Sequence, residues 1–289
     1  MLRHGLTKSP IYWREVDREG LKGIYAVWDA SLRPDVIVYY CHGGGFSMGS
    51  AYFYLEFLLV WITLLKDKGY SNPAIFALDY TLVPEATYPT QVQQTLAGYK
   101  YVLSVVDHPS RICVSGDSAG ATLILSLLLC LSDYSSLKTK MPGLAVIISP
   151  WAAIISSKNQ NTSSDYLNAE SLHLYGGQYI GTKASTDDPL VSPGRCKDLS
   201  WWRRASPTAV WYFVYGAEEV FAPETKDLIA TLEKAGLEVK EHEEKGWIHA
   251  WPVVKLFLCN KQEERLSGLN SIVRITSERI PTTEKRPAT

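Results

Sequence analysis

A strand, a sharp turn centred on a serine and a helix follow one another in the middle of this chain. Residues 111–115 form an apolar run, residues 116–120 read Gly-Asp-Ser-Ala-Gly, and residues 119–132 have a helical apolar pattern. A turn this tight strains the backbone of Ser118 and crowds the helix against the strand. Glycine at 116 and 120 relieves the crowding because it has no Cβ. The succession predicts a serine raised above the edge of a sheet.

Strand and helix patterns alternate along the chain, which predicts an α/β fold with a mostly parallel central sheet flanked by helices. Several of the predicted strands are continuous apolar runs, as expected of strands buried on both faces. The predicted strands are residues 23–28, 35–41, 74–78, 111–115, 144–149, 209–215 and 237–241. The predicted helices are residues 51–68, 88–106, 119–132, 222–235 and 251–262.

Residues 151–206 interrupt this alternation. The stretch is rich in serine, asparagine, aspartate and aromatic residues and lies between two predicted strands. A structureless loop of this length is uncommon in a compact domain. We therefore predict a single domain over residues 1–289, with residues 151–206 forming a helical cap insertion over the carboxyl edge of the sheet, where α/β proteins bind ligands.

Composition excludes several classes of function. The 289 residues carry a net charge of −1, which provides no electrostatic basis for binding nucleic acid. The longest apolar runs, residues 57–65 and 121–131, are too short to span a membrane. Residues 1–13 contain no apolar stretch typical of a signal peptide, and no Cys-x-x-Cys pair suggests a metal or redox site. We expect a cytoplasmic protein without a membrane span.

A second glycine cluster follows the predicted strand 35–41. Residues 42–46 read His-Gly-Gly-Gly-Phe, and such a run lets bare backbone approach a ligand and direct N–H groups toward it. In acyl transfer, such donors stabilise the negative oxygen of the tetrahedral intermediate. A plain glycine-rich turn is the alternative, but the serine turn downstream favours the catalytic interpretation.

Three motifs together resemble the hormone-sensitive-lipase-like branch of the α/β-hydrolase family. They are the glycine run at 42–45, Asp-Tyr-Thr-Leu-Val-Pro-Glu at 79–85 and the serine turn at 116–120. The middle motif has threonine at 81 where that branch has arginine. The likeness covers about residues 36–254 and is greatest to fungal members of the carboxylesterase and deacetylase type, some of which process secondary metabolites or sterol esters.

The resemblance implies a catalytic triad in the chain order serine, acid, histidine. Ser118 is the nucleophile. The loop at 216–221 matches the acid position with Glu219, where aspartate is commoner, and Glu218 is the alternative. Both could instead be solvated loop charges.

His249 and His242 are the histidines that follow the acid. His249 opens the predicted last helix, where the family has its base, whereas His242 lies among glutamates at a strand end. The resemblance further implies that the backbone N–H groups of Gly44, Gly45 and Ala119 form the oxyanion hole. We expect no metal and no organic cofactor.

The resemblance also suggests what is unusual here. Members of the branch carry a longer N-terminal region that helps to roof the site, and His42 comes early in this chain. We therefore expect a shortened N-terminal cap, a more open pocket and possible homodimer formation across the uncovered apolar surface. Candidate pocket walls, which are equally compatible with a role in the core, are Trp151, Tyr175, Trp201 and Trp202.

The leading hypothesis is a serine hydrolase that cleaves a small-molecule carboxylic ester through an acyl-enzyme, with a secondary metabolite as one possible substrate. Two alternatives keep the fold. One is a non-hydrolytic step in secondary metabolism, such as a lyase, acyltransferase or cyclisation reaction, and the other is a ligand-binding protein without activity. Fold and triad do not by themselves determine the reaction.

Overall fold

The computed structural model describes residues 5–8, 10–182 and 184–282. Its strands are β1 (Tyr12–Arg18), β2 (Leu21–Val27), β3 (Val36–Cys41), β4 (Pro73–Leu78), β5 (Ile112–Asp117), β6 (Leu144–Ile148), β7 (Val210–Gly216) and β8 (Val239–Glu244). Its helices are α1 (Leu55–Asp67), α2 (Thr90–Val105), α3 (Ala119–Asp133), α4 (Ala169–Ile180), α5 (Leu199–Arg204), α6 (Ala222–Lys234), α7 (Trp251–Leu258) and α8 (Gln262–Arg279).

The strands form one eight-stranded sheet in the order β1-β2-β4-β3-β5-β6-β7-β8. β1 and β2 are antiparallel to their neighbours, and all pairs from β4 to β8 are parallel. This confirms the predicted mostly parallel α/β sheet.

Helices cover both faces of the sheet and create two cores. Alternate residues of β3 show the division, because Tyr39 packs with α2 and α3 on one face while Tyr40 packs with α1 on the other. Helices α5 and α6 complete the first layer, and α7 and α8 complete the second.

The register of the parallel strands brings four loops together at one edge. Cys41 at the end of β3 pairs with Gly116, and Asp117 at the end of β5 pairs with Ile148. Ile148, the last residue of β6, pairs in turn with Val214 of β7. The loops that follow β3, β5, β6 and β7 therefore meet at the carboxyl edge of the sheet, where open α/β folds bind ligands.

Three sequence predictions about individual elements are wrong. The pattern did not predict β1, because all but one of its residues are exposed and it lacks a buried apolar run. The edge strand β8 begins and ends later than expected, because its residues are only partly buried and mostly charged. The helix expected over residues 251–262 ends at Leu258, and a further helix, α8, follows it.

The predicted insertion, residues 151–206, contains α4 and α5 and is called the insertion below. At the carboxyl edge, the segment that leads into α4 and α4 itself line a cavity, through Tyr166, Leu167, Leu172 and Tyr175. Helix α5 instead packs against α3, where the Trp201 indole N–H donates to the carbonyl oxygen of Leu129 at 3.1 Å.

Two further properties concern the part of the chain that the structure describes. None of its helices combines the length and the apolar character needed to cross a bilayer. All five cysteines lie within it, and each is a free thiol.

Candidate active site

Ser118 occupies the turn between β5 and α3. Its φ of 54° and ψ of −121° are strained for an L-residue, and strain of this kind is concentrated at functional sites. A Cβ on Gly120 would lie only 2.0 Å from the carbonyl oxygen of Cys41, so only glycine lets α3 approach β3 this closely. The serine, although largely buried, lines a large cavity at the carboxyl edge of the sheet.

The glycine run after β3 borders the same cavity. Gly44 has a φ of 111° and Gly45 a φ of 60°, values that glycine adopts without steric cost. Both residues line the cavity beside Ser118, whereas Ala119 is fully buried as the first residue of α3. The structure thus brings the three residues predicted for the oxyanion hole to the nucleophile turn.

A buried carboxylate that the sequence analysis overlooked anchors the glycine run. Asp117 accepts hydrogen bonds from the backbone N–H of Gly43 at 2.8 Å and from the hydroxyls of Tyr40 and Tyr54, each at 2.7 Å. Burial raises the pKa of Asp117 to about 6, although these three hydrogen bonds oppose the rise. Asp117 thereby ties the glycine run to the residue directly before Ser118.

The motif at 79–85 supports the glycine run from the other side. The Tyr80 ring stacks on His42 at 4.3 Å, and its hydroxyl donates to the carbonyl oxygen of His42 at 2.8 Å. The backbone N–H of Val83 donates to the carbonyl oxygen of Phe46 at 2.9 Å. These contacts hold both ends of the glycine run.

Glu219 lies buried in the loop after β7. Its Oε2 accepts hydrogen bonds from the Ser149 hydroxyl at 2.7 Å and from the backbone N–H of Gly216 at 3.1 Å. Burial raises the pKa of Glu219 to about 8, and the two hydrogen bonds partly offset that rise. Glu218 is exposed and contacts Ser164 of the insertion instead.

His249 lies in the loop between β8 and α7 and is also buried. Its Nδ1 is 3.8 Å from Glu219 Oε2 and has no hydrogen-bond partner among the described residues. Burial lowers the pKa of the imidazole to about 3, so the resting ring is neutral and able to accept a proton. His242 points elsewhere and pairs with Glu244 at 2.8 Å.

Two residues that the sequence analysis did not single out connect the loops of Glu219 and His249. Ser149, directly after β6, donates to Glu219 and accepts the backbone N–H of Ala250 at 2.9 Å. Asp165, in the insertion, accepts the backbone N–H of His249 at 3.3 Å and that of Val220 at 2.8 Å. The position of Ser149 after a buried strand was a usable signal, whereas nothing in the local sequence marks Asp165.

The cavity measures about 1040 Å³, which is large enough for a drug-sized ligand. Besides Ser118 and His249, its lining is mainly apolar and aromatic. Prominent lining residues are Met48, Phe53, Tyr166, Tyr175, Val253 and Phe257. Of the four candidate aromatic walls, only Tyr175 lines it. Trp151 and Trp202 are buried in the core, and Trp201 is held by α3.

Comparisons with known proteins agree with this architecture. A model of a family with the α/β-hydrolase fold matches residues 38–253. An acetyl-hydrolase of Streptomyces hygroscopicus is 30% identical over 233 residues, covering 78% of this chain and 72% of that protein. A putative steryl acetyl hydrolase of Schizosaccharomyces pombe is 30% identical over 230 residues, covering 73% of this chain but only 58% of that protein.

Solved structures show the same fold. A hormone-sensitive lipase from a metagenome library superimposes with a TM-score of 0.79 at 23% identity, covering 95% of this chain and 86% of that one. Because the family model covers residues 38–253 and the fold coincides with that of the solved structures, the chain belongs to the α/β-hydrolase-fold family.

Proposed function

We propose that this protein hydrolyses carboxylic esters with Ser118 as nucleophile, His249 as base and Glu219 as the acid that orients the base. One observation carries the proposal. The strained Ser118 lines the same cavity as His249, and the imidazole Nδ1 lies 3.8 Å from the buried carboxylate of Glu219. A serine hydroxyl needs such a base, and the base needs an orienting group.

The reaction follows from the protonation states. Neutral His249 takes the Ser118 proton through Nε2 as Oγ attacks the ester carbonyl. The N–H groups of Gly44, Gly45 and Ala119 stabilise the oxyanion. His249 then protonates the leaving alcohol, and a water molecule activated by the same ring releases the acid from Ser118.

Glu219 stabilises the imidazolium that forms during each proton transfer. The 3.8 Å between His249 Nδ1 and Glu219 Oε2 is longer than a hydrogen bond. Catalytic contacts of this kind commonly shorten when substrate binds. Burial raises the pKa of Glu219 and lowers that of His249, so the imidazole of His249 carries no charge in the resting enzyme. A positive charge on His249 favours the ionised carboxylate, so the two groups titrate as a pair.

The apolar cavity points to an ester with a large apolar portion. Beyond the buried carboxylates, its lining offers mainly aromatic and aliphatic side chains on both the glycine-run side and the α7 side. Two relatives are named as acetyl hydrolases, one of them putatively for steryl acetates. We propose a small acyl group on a bulky apolar alcohol as the substrate class, which includes acetylated secondary metabolites, and a cytoplasmic location.

The test compares p-nitrophenyl acetate with longer-chain esters, using the wild type, Ser118→Ala, His249→Ala and the control His242→Ala. We expect turnover to fall by about 10³-fold or more in the first two variants and to persist in the control. Glu219→Gln should lose far more activity than Glu218→Gln.

Other outcomes separate the alternatives. A wild type that is labelled at Ser118 by a fluorophosphonate but hydrolyses no ester would indicate an acyl transfer or another non-hydrolytic step. A folded wild type that does neither would indicate a ligand-binding protein.

A further inference from the structure

Hydrogen bonds from two different segments connect the loop that carries Glu219 to the loop that carries His249. From the sheet side, Ser149 bonds both the Glu219 carboxylate and the backbone N–H of Ala250. From the insertion, Asp165 accepts hydrogen bonds from the backbone N–H groups of Val220 and His249. Val220 directly follows Glu219, and His249 directly precedes Ala250. Ser149 and Asp165 thus each connect the loop of Glu219 to the loop of His249, and their contact points on each loop are adjacent residues.

The Asp165 bridge requires a carboxylate. Its Oδ2 accepts from Val220 and its Oδ1 accepts from His249, so each oxygen serves a different loop. An ionised carboxylate offers acceptors on both oxygens, whereas an asparagine side chain has one acceptor oxygen and one amide donor. An asparagine at 165 can therefore keep only one of the two bonds.

The bridge also joins the reacting groups to the substrate cavity. Tyr166, the next residue, lines the cavity, and its ring meets the His249 ring edge-on at 5.9 Å. The Tyr166 hydroxyl approaches the carbonyl oxygen of His249 at 3.4 Å. The insertion thus contacts the base through both the side chain of Asp165 and that of Tyr166.

We propose that Asp165 is a positioning residue, which sets the spacing between Glu219 and His249 and makes that spacing depend on the insertion. The inference rests on the proposed function, since it assigns those two residues to catalysis. Asp165 touches neither the substrate nor a reacting atom in this role. It acts through the two backbone N–H groups that it holds.

Asp165→Ala and Asp165→Asn test this inference against a matched control, Asp198→Ala. Asp198 also lies in the insertion and accepts two backbone N–H groups, those of Ser200 and Trp201, but at the start of α5. We expect kcat to fall by about 10²-fold in Asp165→Ala, with a smaller loss in Asp165→Asn, because a displacement near 1 Å at a reacting group has an effect of this size. KM should change little in either variant. Asp198→Ala should leave both constants near the wild type.

Hydrogen exchange supplies a readout that needs no activity. In Asp165→Ala, peptides covering residues 216–221 and 245–250 should exchange faster, and in Asp198→Ala they should not. Unchanged exchange in both peptides overturns the inference, and so does a kcat loss in Asp198→Ala equal to that in Asp165→Ala. Absence of esterase turnover in the wild type would contradict the proposed function instead, and the exchange data would then decide the role of Asp165.

Discussion

At the scale of single residues, the Ser149 hydroxyl influences whether the buried carboxyl group of Glu219 is ionised. Glu219 lies where burial raises its pKa, and the Ser149 hydroxyl opposes that effect by donating to Oε2 at 2.7 Å. A hydrogen bond to an ionised group contributes more than one between neutral groups. Ser149 thus favours the charged form of Glu219 that the proposed mechanism needs.

Ser149→Ala should therefore lower kcat by about tenfold, because the loss of the donor raises the pKa of Glu219 further and leaves less of it ionised near neutral pH. The control is Ser126→Ala. Ser126 is equally buried but donates to the carbonyl oxygens of Thr122 and Leu190, away from the site. Steady-state kinetics of both variants measure this effect. A kcat of Ser149→Ala within twofold of the wild-type value would contradict the role of Ser149.

At the scale of elements, the close approach of α3 to β3 creates the nucleophile turn. The missing Cβ of Gly120 makes room for the carbonyl oxygens of Cys41 and His42, which would lie 2.0 and 2.5 Å from it. Gly177, in the exposed part of α4, has no atom within 4 Å of an added Cβ. A side chain at Gly120 would therefore clash with the backbone after β3, whereas a side chain at Gly177 has free space.

Alanine at these positions should have effects of opposite sign. Gly120→Ala should lower the free energy of unfolding by about 3 kcal/mol or more, because backbone must move to accept the methyl group. Gly177→Ala should raise it by roughly 0.5–1 kcal/mol, the difference in helix propensity. Urea unfolding measures both. A Gly120→Ala protein as stable as the wild type would show that α3 can shift away from β3 freely.

At the scale of the whole molecule, Asp117 links stability to pH. Burial raises the pKa of Asp117 from the ordinary aspartate value of 3.8 to about 6 in the folded protein. The folded state therefore binds this proton more tightly than the unfolded state does. The stability contributed by Asp117 is fully present well below pH 3.8 and is lost as the pH rises through about 6.

Asp117→Asn removes this titration while the other ionisable groups remain. The unfolding free energy of the wild type minus that of the variant should fall by about 2.4 kcal/mol between pH 4 and pH 7. Chemical denaturation at a series of pH values measures this difference, in which titrations common to both proteins cancel. A difference that stays constant across the series would mean that Asp117 titrates normally.

Local sequence sufficed for much of this protein. The strand, glycine-flanked serine and helix around Ser118 are short-range features, and the alternation of apolar runs predicted the parallel sheet because strands buried on both faces must be apolar throughout. Elements without that signal were misjudged. The exposed strand β1 and the charged edge strand β8 owe their conformation to pairing with a neighbour rather than to their own pattern.

The sequence by itself thus determined the fold and the candidate nucleophile, because these follow from periodicity and from the glycine-flanked serine turn. The family resemblance added His249 as the candidate base and left Glu219 and Glu218 as candidate acids. Only the tertiary structure chose Glu219 over Glu218 as the neighbour of His249, since the choice depends on which side chain turns inward after β7. It alone revealed Asp117, Ser149 and Asp165, whose named partners lie at least 63, 70 and 55 residues away, respectively. Contacts between distant segments have no signature in local sequence, because they arise only when the sheet brings its loops to one edge.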